Sequence, residues 1–218
     1  MIKGAIFDFD GTLFDTMPFW ATLGSSMIKK AGLTPVKGLD EAVLFMTLEE
    51  SCAFIKDAYN LKESVAELID NVVKEVANFY SNHASPKAGI VEFMSEFKRR
   101  GIPCVIATAS DRRLIEIALK RHNLLDKFEA IFTCSELNLN KRNGDIYNRC
   151  ADFLSLKPEE IAVFEDILVA TKSAKLAGFF TVAVEDVESE RDREEIKQVA
   201  DLYISSNDSF DIFWSAKR

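Results

Sequence analysis

Residues 4–16 read GAIFDFDGTLFDT, and this stretch decides the fold. A short apolar run leads into Asp8, then Phe9, then Asp10, and then Gly11-Thr12. Two carboxylates so close to buried chain are unfavourable unless something offsets their charge. In extended backbone, side chains at i and i+2 point the same way. The pattern therefore places Asp8 and Asp10 together at the C-terminal end of a strand, with Phe7 and Phe9 on the other side. Gly11 permits a sharp turn, which lets the amides of Gly11 and Thr12 face a ligand.

Further apolar runs follow this one. After AIFDF (5–9) come PCVIAT (103–108), AIFTC (130–134), IAVFE (161–165), FFTVAV (179–184) and LYIS (202–205), all with the look of buried strands. Helical patterns separate them. IVEFMSEFKRRG sets Val91, Met94 and Phe97 about a turn apart and stops at Gly101, and SDRRLIEIALKRHNL opens on Ser110 as its N-cap. NGDIYNRCADFLSL carries Ile146, Cys150, Phe153 and Leu154, and TKSAKLAG ends on Gly178. Strands alternating with helices predict an α/β fold, a Rossmann-like parallel sheet core with helices on both faces.

Residues 16–83 break that rhythm with helices alone: PFWATLGSSMIKKAG, TLEESCAFIKDAY and KESVAELIDNVVKEVANFYSN. Thr47 and Glu50 have capping-box spacing. The third helix aligns Val65, Leu68, Ile69, Val72, Val73, Val76, Phe79 and Tyr80 on one stripe. This predicts an inserted all-helical cap domain at 16–83, leaving 1–15 and 84–218 as the core. No arginine occurs between Asp15 and Lys98, so the cap offers no bidentate guanidinium. Lys29, Lys30, Lys37 and Lys56 are its cationic choices, each better read as a solvated helix face. Phe19, Trp20, Phe45 and Met46 read as cap core.

The whole chain has 218 residues and a net charge of −8, which disfavours nucleic acid as a partner. Cys52, Cys104, Cys134 and Cys150 form no CxxC, which points to free thiols in a reducing compartment. His83 and His122 stand alone and read as structural. Lys3, Asp8 and Asp10 interrupt the first apolar run, so it is no signal peptide, and no run approaches the roughly 20 residues of a membrane span. These features predict a cytoplasmic protein without membrane partners, a monomer or weak homodimer.

Open parallel sheets bind ligands at the carboxyl ends of their strands, so the other strand ends matter. The second ends in Thr108-Ala109-Ser110, hydroxyls beside a helix N-terminus where oxyanions bind well. Lys141 follows the third, and the fourth ends in Glu165-Asp166. Each alone has a bland reading: a solvated loop, a helix cap, a surface lysine. Jointly they supply carboxylates, a hydroxyl and an ammonium to one sheet edge. Hard oxygen ligands with room for water suit Mg2+ and a phosphate-bearing substrate, and a cation there offsets the repulsion between the carboxylates.

These residues resemble the haloacid dehalogenase superfamily. Asp8-Phe9-Asp10-Gly11-Thr12 matches the DxDGT motif of its phosphatase branch. Thr108 matches the Ser/Thr motif, Lys141 the lysine motif and Glu165-Asp166 the acidic motif. The insert is similar to the helical cap of the β-phosphoglucomutase-like and phosphoglycolate-phosphatase-like members. Two stretches depart from the pattern: Lys141-Arg142-Asn143-Gly144-Asp145 replaces Lys-Pro-x-Pro-Asp, and Ile167 and Ala170 stand where Ser and Gly are common. The resemblance implies a Mg2+-dependent phosphatase for a small phosphorylated metabolite. It implies Asp8 as nucleophile, Asp10 as general acid and base, and Thr108 and Lys141 as phosphoryl stabilisers. Gly11, Thr12, Ala109 and Ser110 would line the substrate. Asp8, the Asp10 carbonyl, Glu165 and Asp166 would hold the metal, and the cap would close over the leaving group. The nearest alternative is a β-phosphoglucomutase-type phosphomutase. A receiver-like signalling module is another class, disfavoured by length and by the acid at Asp10. A dehalogenase would have no use for Asp10, and a P-loop kinase lacks its GxxxxGK[ST].

Overall fold

In a computed structural model, which describes residues 1–43, 46 and 48–216, six strands form one parallel sheet. They are β1 (Gly4–Phe7), β2 (Cys104–Thr108), β3 (Ala130–Thr133), β4 (Ile161–Glu165), β5 (Phe180–Val184) and β6 (Leu202–Ile204). The helices are α1 (Met17–Trp20), α2 (Leu23–Lys30), α3 (Leu39–Val43), α4 (Leu48–Tyr59), α5 (Val65–Asn82), α6 (Ile90–Arg99), α7 (Arg112–Arg121), α8 (Cys134–Leu137), α9 (Asp145–Leu154), α10 (Leu168–Leu176), α11 (Arg193–Val199) and α12 (Ile212–Ala216). Among the described residues no helix is long and apolar enough to cross a membrane.

The strand order is β3-β2-β1-β4-β5-β6. The chain builds outward from β1 through β2 to β3, then crosses back to lay β4 on the other side of β1. That reversal opens a crevice at the carboxyl ends of β1, β2 and β4. Phe7, the last residue of β1, pairs with Ile106 on one side and Phe164 on the other. Thr108 and Glu165 thus end their strands within two residues of the same level.

Every residue of β1, β2 and β4 is buried, which is why these strands read as unbroken apolar runs. On one face Ile6, Val105 and Val163 pack with Ile146, Tyr147 and Cys150 of α9. On the other, Phe7 stacks on Phe164 with ring centroids 4.3 Å apart and meets Phe93 and Phe97 of α6 edge-on. Truncating Phe7 to Ala would cost roughly 3–5 kcal/mol.

Several expectations shift by a residue or a face. β1 ends at Phe7 and not at Phe9, because the chain turns immediately afterwards. Phe9 stacks on Phe14 at 4.4 Å, away from the neighbours of Phe7. β3 stops at Thr133, whose hydroxyl accepts from the Glu136 amide and so starts α8. Helix α7 is capped by Asp111, which accepts from the Arg113 amide, and not by Ser110. α6 buries Ile90, Phe93, Met94 and Phe97 and leaves Val91 exposed. α9 buries Tyr147 and Ala151 in place of Phe153, which is 53% exposed.

The chain divides into two compact units, Met1–Thr16 with Ala84–Arg218, and Met17–His83. In the second, Ile28, Leu39 and Ile55 form a small core. Phe19 stacks on Phe79 at 3.9 Å, and Trp20 Nε1 donates to Tyr80 Oη at 3.0 Å. Ser64 and Glu67 form a reciprocal capping box at the start of α5. Val73 of its anticipated stripe is exposed. Lys56 is held by the carbonyls of Leu61 and Glu63, and Lys30 by Glu75. The Thr47 capping box and the Phe45 contact lie outside the described residues.

Candidate active site

The turn after β1 is built by its own backbone. The Asp8 amide extends the ladder by donating to the Phe164 carbonyl at 3.0 Å. The Phe9 carbonyl then accepts from both Leu13 and Phe14, and the Gly11 amide donates to the Phe14 carbonyl at 2.9 Å. Gly11 sits at φ +77°, where a side chain would be strained. The turn leaves the Asp8 side chain at the sheet's edge, yet buried.

Around it the chain gathers residues from three other segments and from the turn itself. Lys141 Nζ lies 2.5 Å from Asp8 Oδ1 and 2.8 Å from Glu165 Oε1. Tyr147 Oη donates to the same Glu165 oxygen at 2.6 Å, and Thr12 Oγ1 donates to Asp166 Oδ1 at 3.2 Å. One carboxylate oxygen from each of Asp8, Glu165 and Asp166 falls within 4.8 Å of the others. All three residues, with Lys141, are buried.

The charges do not balance within this cluster: three carboxylates face one ammonium. Burial raises the Asp8 carboxyl to about 7, with Glu165 and Asp10 adding to the shift and Lys141 opposing it. Burial likewise pushes Asp166 well above the carboxylate range, and the charges of Asp8 and Glu165 push it further. For Lys141 burial works to lower the pKa, but Asp8 and Glu165 overcome it and hold the ammonium charged. Glu165 Oε2 and Asp166 Oδ2 are buried without a hydrogen-bond partner. Unsatisfied buried oxygens are costly. Hard carboxylate donors, an excess of negative charge and two orphaned oxygens together fit a divalent cation held by Asp8, Glu165 and Asp166.

Asp10 belongs to a neighbouring cluster. Thr16 Oγ1 donates to its Oδ1 at 2.7 Å, and the Ser110 hydroxyl donates to its Oδ2. Its carboxylate lies outside the acidic triad, though its charge is felt at Asp8. Thr108 is buried at the end of β2, and its hydroxyl accepts from the Ser110 amide at 3.1 Å. Ala109 is exposed and Ser110 partly so. The Gly11 amide and the Thr12 hydroxyl both have partners within the protein.

The lysine loop keeps its place without prolines. Asn140 Oδ1 accepts from the Arg142 amide at 2.8 Å, and Asn143 pairs with Asp145. The Ser173 hydroxyl of α10 bonds the Lys141 carbonyl. Gly144 lies so near α10 that a Cβ would meet Ala177 Cβ at 3.0 Å and the Ser173 carbonyl at 3.1 Å. Thr16, Tyr147 and Ser173 are not anticipated from the sequence. Tyr147 and Ser173 sit in helical patterns where a core aromatic and a small helix residue leave no distinguishing mark.

Residues 5–184 match the family model described as haloacid dehalogenase-like hydrolase. The chain belongs to this family. It is 24% identical over 177 residues to the phosphorylated carbohydrates phosphatase of Thermotoga maritima, covering 81% of this chain and 82% of that one. Hexitol phosphatase B of Escherichia coli is 24% identical over 213 residues, covering 94% and 92%. Among solved structures, β-phosphoglucomutase of Clostridium difficile has a TM-score of 0.70 at 20% identity, covering 99% of this chain and 97% of that one. The parallel sheet is the fold shared with that structure. The chain is an enzyme of a hydrolase family, and several of its curated relatives are named as phosphatases.

Proposed function

We propose that this enzyme is a Mg2+-dependent phosphatase for a small phosphorylated metabolite, a sugar phosphate or similar. One observation carries the reading: Asp8, Glu165, Asp166 and Lys141 converge in a buried cluster that leaves two carboxylate oxygens unpartnered. The sugar-phosphate class draws support from relatives named as phosphatases of phosphorylated carbohydrates and of hexitols.

In this reading an Asp8 carboxylate oxygen attacks phosphorus as the bond to the ester oxygen breaks, giving an aspartyl-phosphate. Asp10, oriented by Thr16 and Ser110, gives its proton to the departing alkoxide. It then takes a proton from the water that attacks phosphorus, which releases inorganic phosphate and regenerates Asp8. Lys141 and Thr108 stabilise charge on the transferring oxygens, with the loop at Gly11, Thr12, Ala109 and Ser110 lining the phosphoryl group. Asp8, Glu165, Asp166 and the Asp10 carbonyl would hold the Mg2+, which neutralises the carboxylates and the phosphoryl oxygens when bound. We assign residues 16–83 as the cap that selects the substrate, and a cytoplasmic location from the acidic charge and the four free thiols.

The test is a panel of phosphate esters assayed with Mg2+ and with EDTA. Mg2+-dependent phosphate release supports the reading; no release from any ester refutes it. A β-phosphoglucomutase-type phosphomutase is the second reading, favoured by the structural neighbour of that name. Interconversion of hexose 1- and 6-phosphates, with a bisphosphate activator, would select it.

A further inference from the structure

We propose that Tyr147 is a positioning residue for the cation site: it locks Glu165 so that one carboxylate oxygen serves Lys141 and the other is reserved for the metal. The proposal rests on the phosphatase reading above and deepens it. Two donors converge on Glu165 Oε1, Tyr147 Oη at 2.6 Å and Lys141 Nζ at 2.8 Å, while Oε2 has none. With Oε1 held from two directions, the carboxylate cannot rotate without breaking a hydrogen bond.

Packing alone does not call for this hydroxyl. Tyr147 is fully buried in the first turn of α9 and meets Phe179 edge-on at 6.1 Å, contacts a phenylalanine ring would make equally well. A phenol buried this deeply is favourable only when its O–H finds an acceptor, and here the acceptor is a member of the acidic triad. Removing the Tyr147 hydroxyl leaves Lys141 as the one donor to Glu165 among the described residues. The ammonium is then shared between Asp8 and a carboxylate free to swing both oxygens toward it, at the expense of the metal. Partners that orient a ligand in this way are typically worth 10- to 100-fold in metal affinity.

The experiment is calorimetric titration of Mg2+ alone into the full-length protein and its Tyr147→Phe variant, followed by kinetics with para-nitrophenyl phosphate at saturating Mg2+. The expected result is a Mg2+ dissociation constant raised about tenfold, with the ester KM unchanged once metal saturates. A second pair tests the route: on a Glu165→Gln background, Tyr147→Phe adds no further loss. Equal dissociation constants for wild type and Tyr147→Phe overturn the proposal while leaving the phosphatase reading intact. A wild-type protein that binds no Mg2+ overturns both. A measurement on the unaltered sequence guards against a variant that fails to fold. With 3-fluorotyrosine at all four tyrosines, assigned through phenylalanine variants of Tyr59, Tyr80 and Tyr203, the Tyr147 resonance shifts on adding Mg2+. A stationary Tyr147 resonance in a protein that binds Mg2+ counts against the proposal.

Discussion

The ammonium of Lys141 lies 2.5 Å from the carboxylate of Asp8, and both groups are buried. Among the described residues Lys141 is the cation paired with the triad, so Lys141→Met takes away the counter-charge of three buried carboxylates. Breaking a buried pair in this way typically costs about 3–5 kcal/mol, and losing one stabiliser of transition-state charge about 10²–10³ in kcat. The variant should melt well below wild type in EDTA and turn over para-nitrophenyl phosphate at least a hundredfold more slowly. Lys141→Arg should not recover the rate, because a planar guanidinium fork does not reproduce the point charge that one ammonium places between Asp8 and Glu165. A Lys141→Met enzyme with near-normal kcat would show that the pair is structural only.

Asp8 makes the protein's stability depend on pH in a direction opposite to the usual carboxylate. Burial, helped by Glu165 and Asp10 and opposed by Lys141, raises it from 3.8 to about 7. A carboxyl with a raised folded pKa binds its proton more tightly in the folded state. Unfolding therefore releases that proton between about pH 4 and pH 7, and the folded state loses stability as pH rises through this window. Asp166 is shifted the same way. In EDTA, Asp8→Asn should be more stable than wild type above pH 7, by on the order of a few kcal/mol. The two should converge toward pH 4, and the variant should have no turnover. Denaturant titrations at pH 4.5, 6 and 8 measure the difference, and an Asn variant less stable at pH 8 contradicts the assignment.

Much of this site is written locally. Strands β1, β2 and β4 are buried on both faces, so their apolar runs are conspicuous, and each carries a polar residue at its end or immediately after it, Asp8, Thr108 and Glu165, that the sheet brings to one edge. The partners that orient those residues are not written locally. Ser110 has the composition of a helix cap, and only the fold shows that Asp111 caps α7 and frees the Ser110 hydroxyl for Asp10. Tyr147 sits next to the apolar position Ile146 and reads as core until Glu165 is seen beside it. Ser173 bonds a carbonyl 32 residues away, which no helical periodicity encodes. The faces of α6 and α9 were displaced for a related reason: each helix carries more apolar residues than its buried stripe uses, and packing decides which remain outside.

Asp10 is held by two hydroxyls, so removing one should loosen the acid without deleting it. A hydrogen bond to a charged group contributes roughly 1.5–3 kcal/mol. Ser110→Ala should therefore lower kcat about tenfold or more, with little change in KM, while Asp10→Asn should cost about 10²–10⁴. The loss should depend on the leaving group. An alkyl phosphate departs as a strong base and needs the proton, whereas para-nitrophenolate departs largely unaided. Comparing the two esters in both variants separates proton donation from a general loss of structure: equal losses on the two substrates would argue against Asp10 as the acid.

The acidic triad should also make thermal stability depend on divalent cations. Glu165 Oε2 and Asp166 Oδ2 are buried without partners, and the cluster carries three carboxylates against one ammonium. A ligand that binds only the folded state stabilises it by about 2.7 kcal/mol at a hundred times its dissociation constant. For a domain of this size that corresponds to a rise in Tm of roughly 5–10 °C. Saturating Mg2+ should produce a shift of that order at pH 8, and EDTA should reverse it. The shift should shrink toward pH 5, where protons compete for Asp8 and Asp166. Asp166→Asn should weaken it severely, because the substitution replaces one of the two orphaned carboxylate oxygens with an amide. Scanning calorimetry across Mg2+ concentration gives the result directly, and a Tm that ignores Mg2+ at pH 8 would remove the metal from this site.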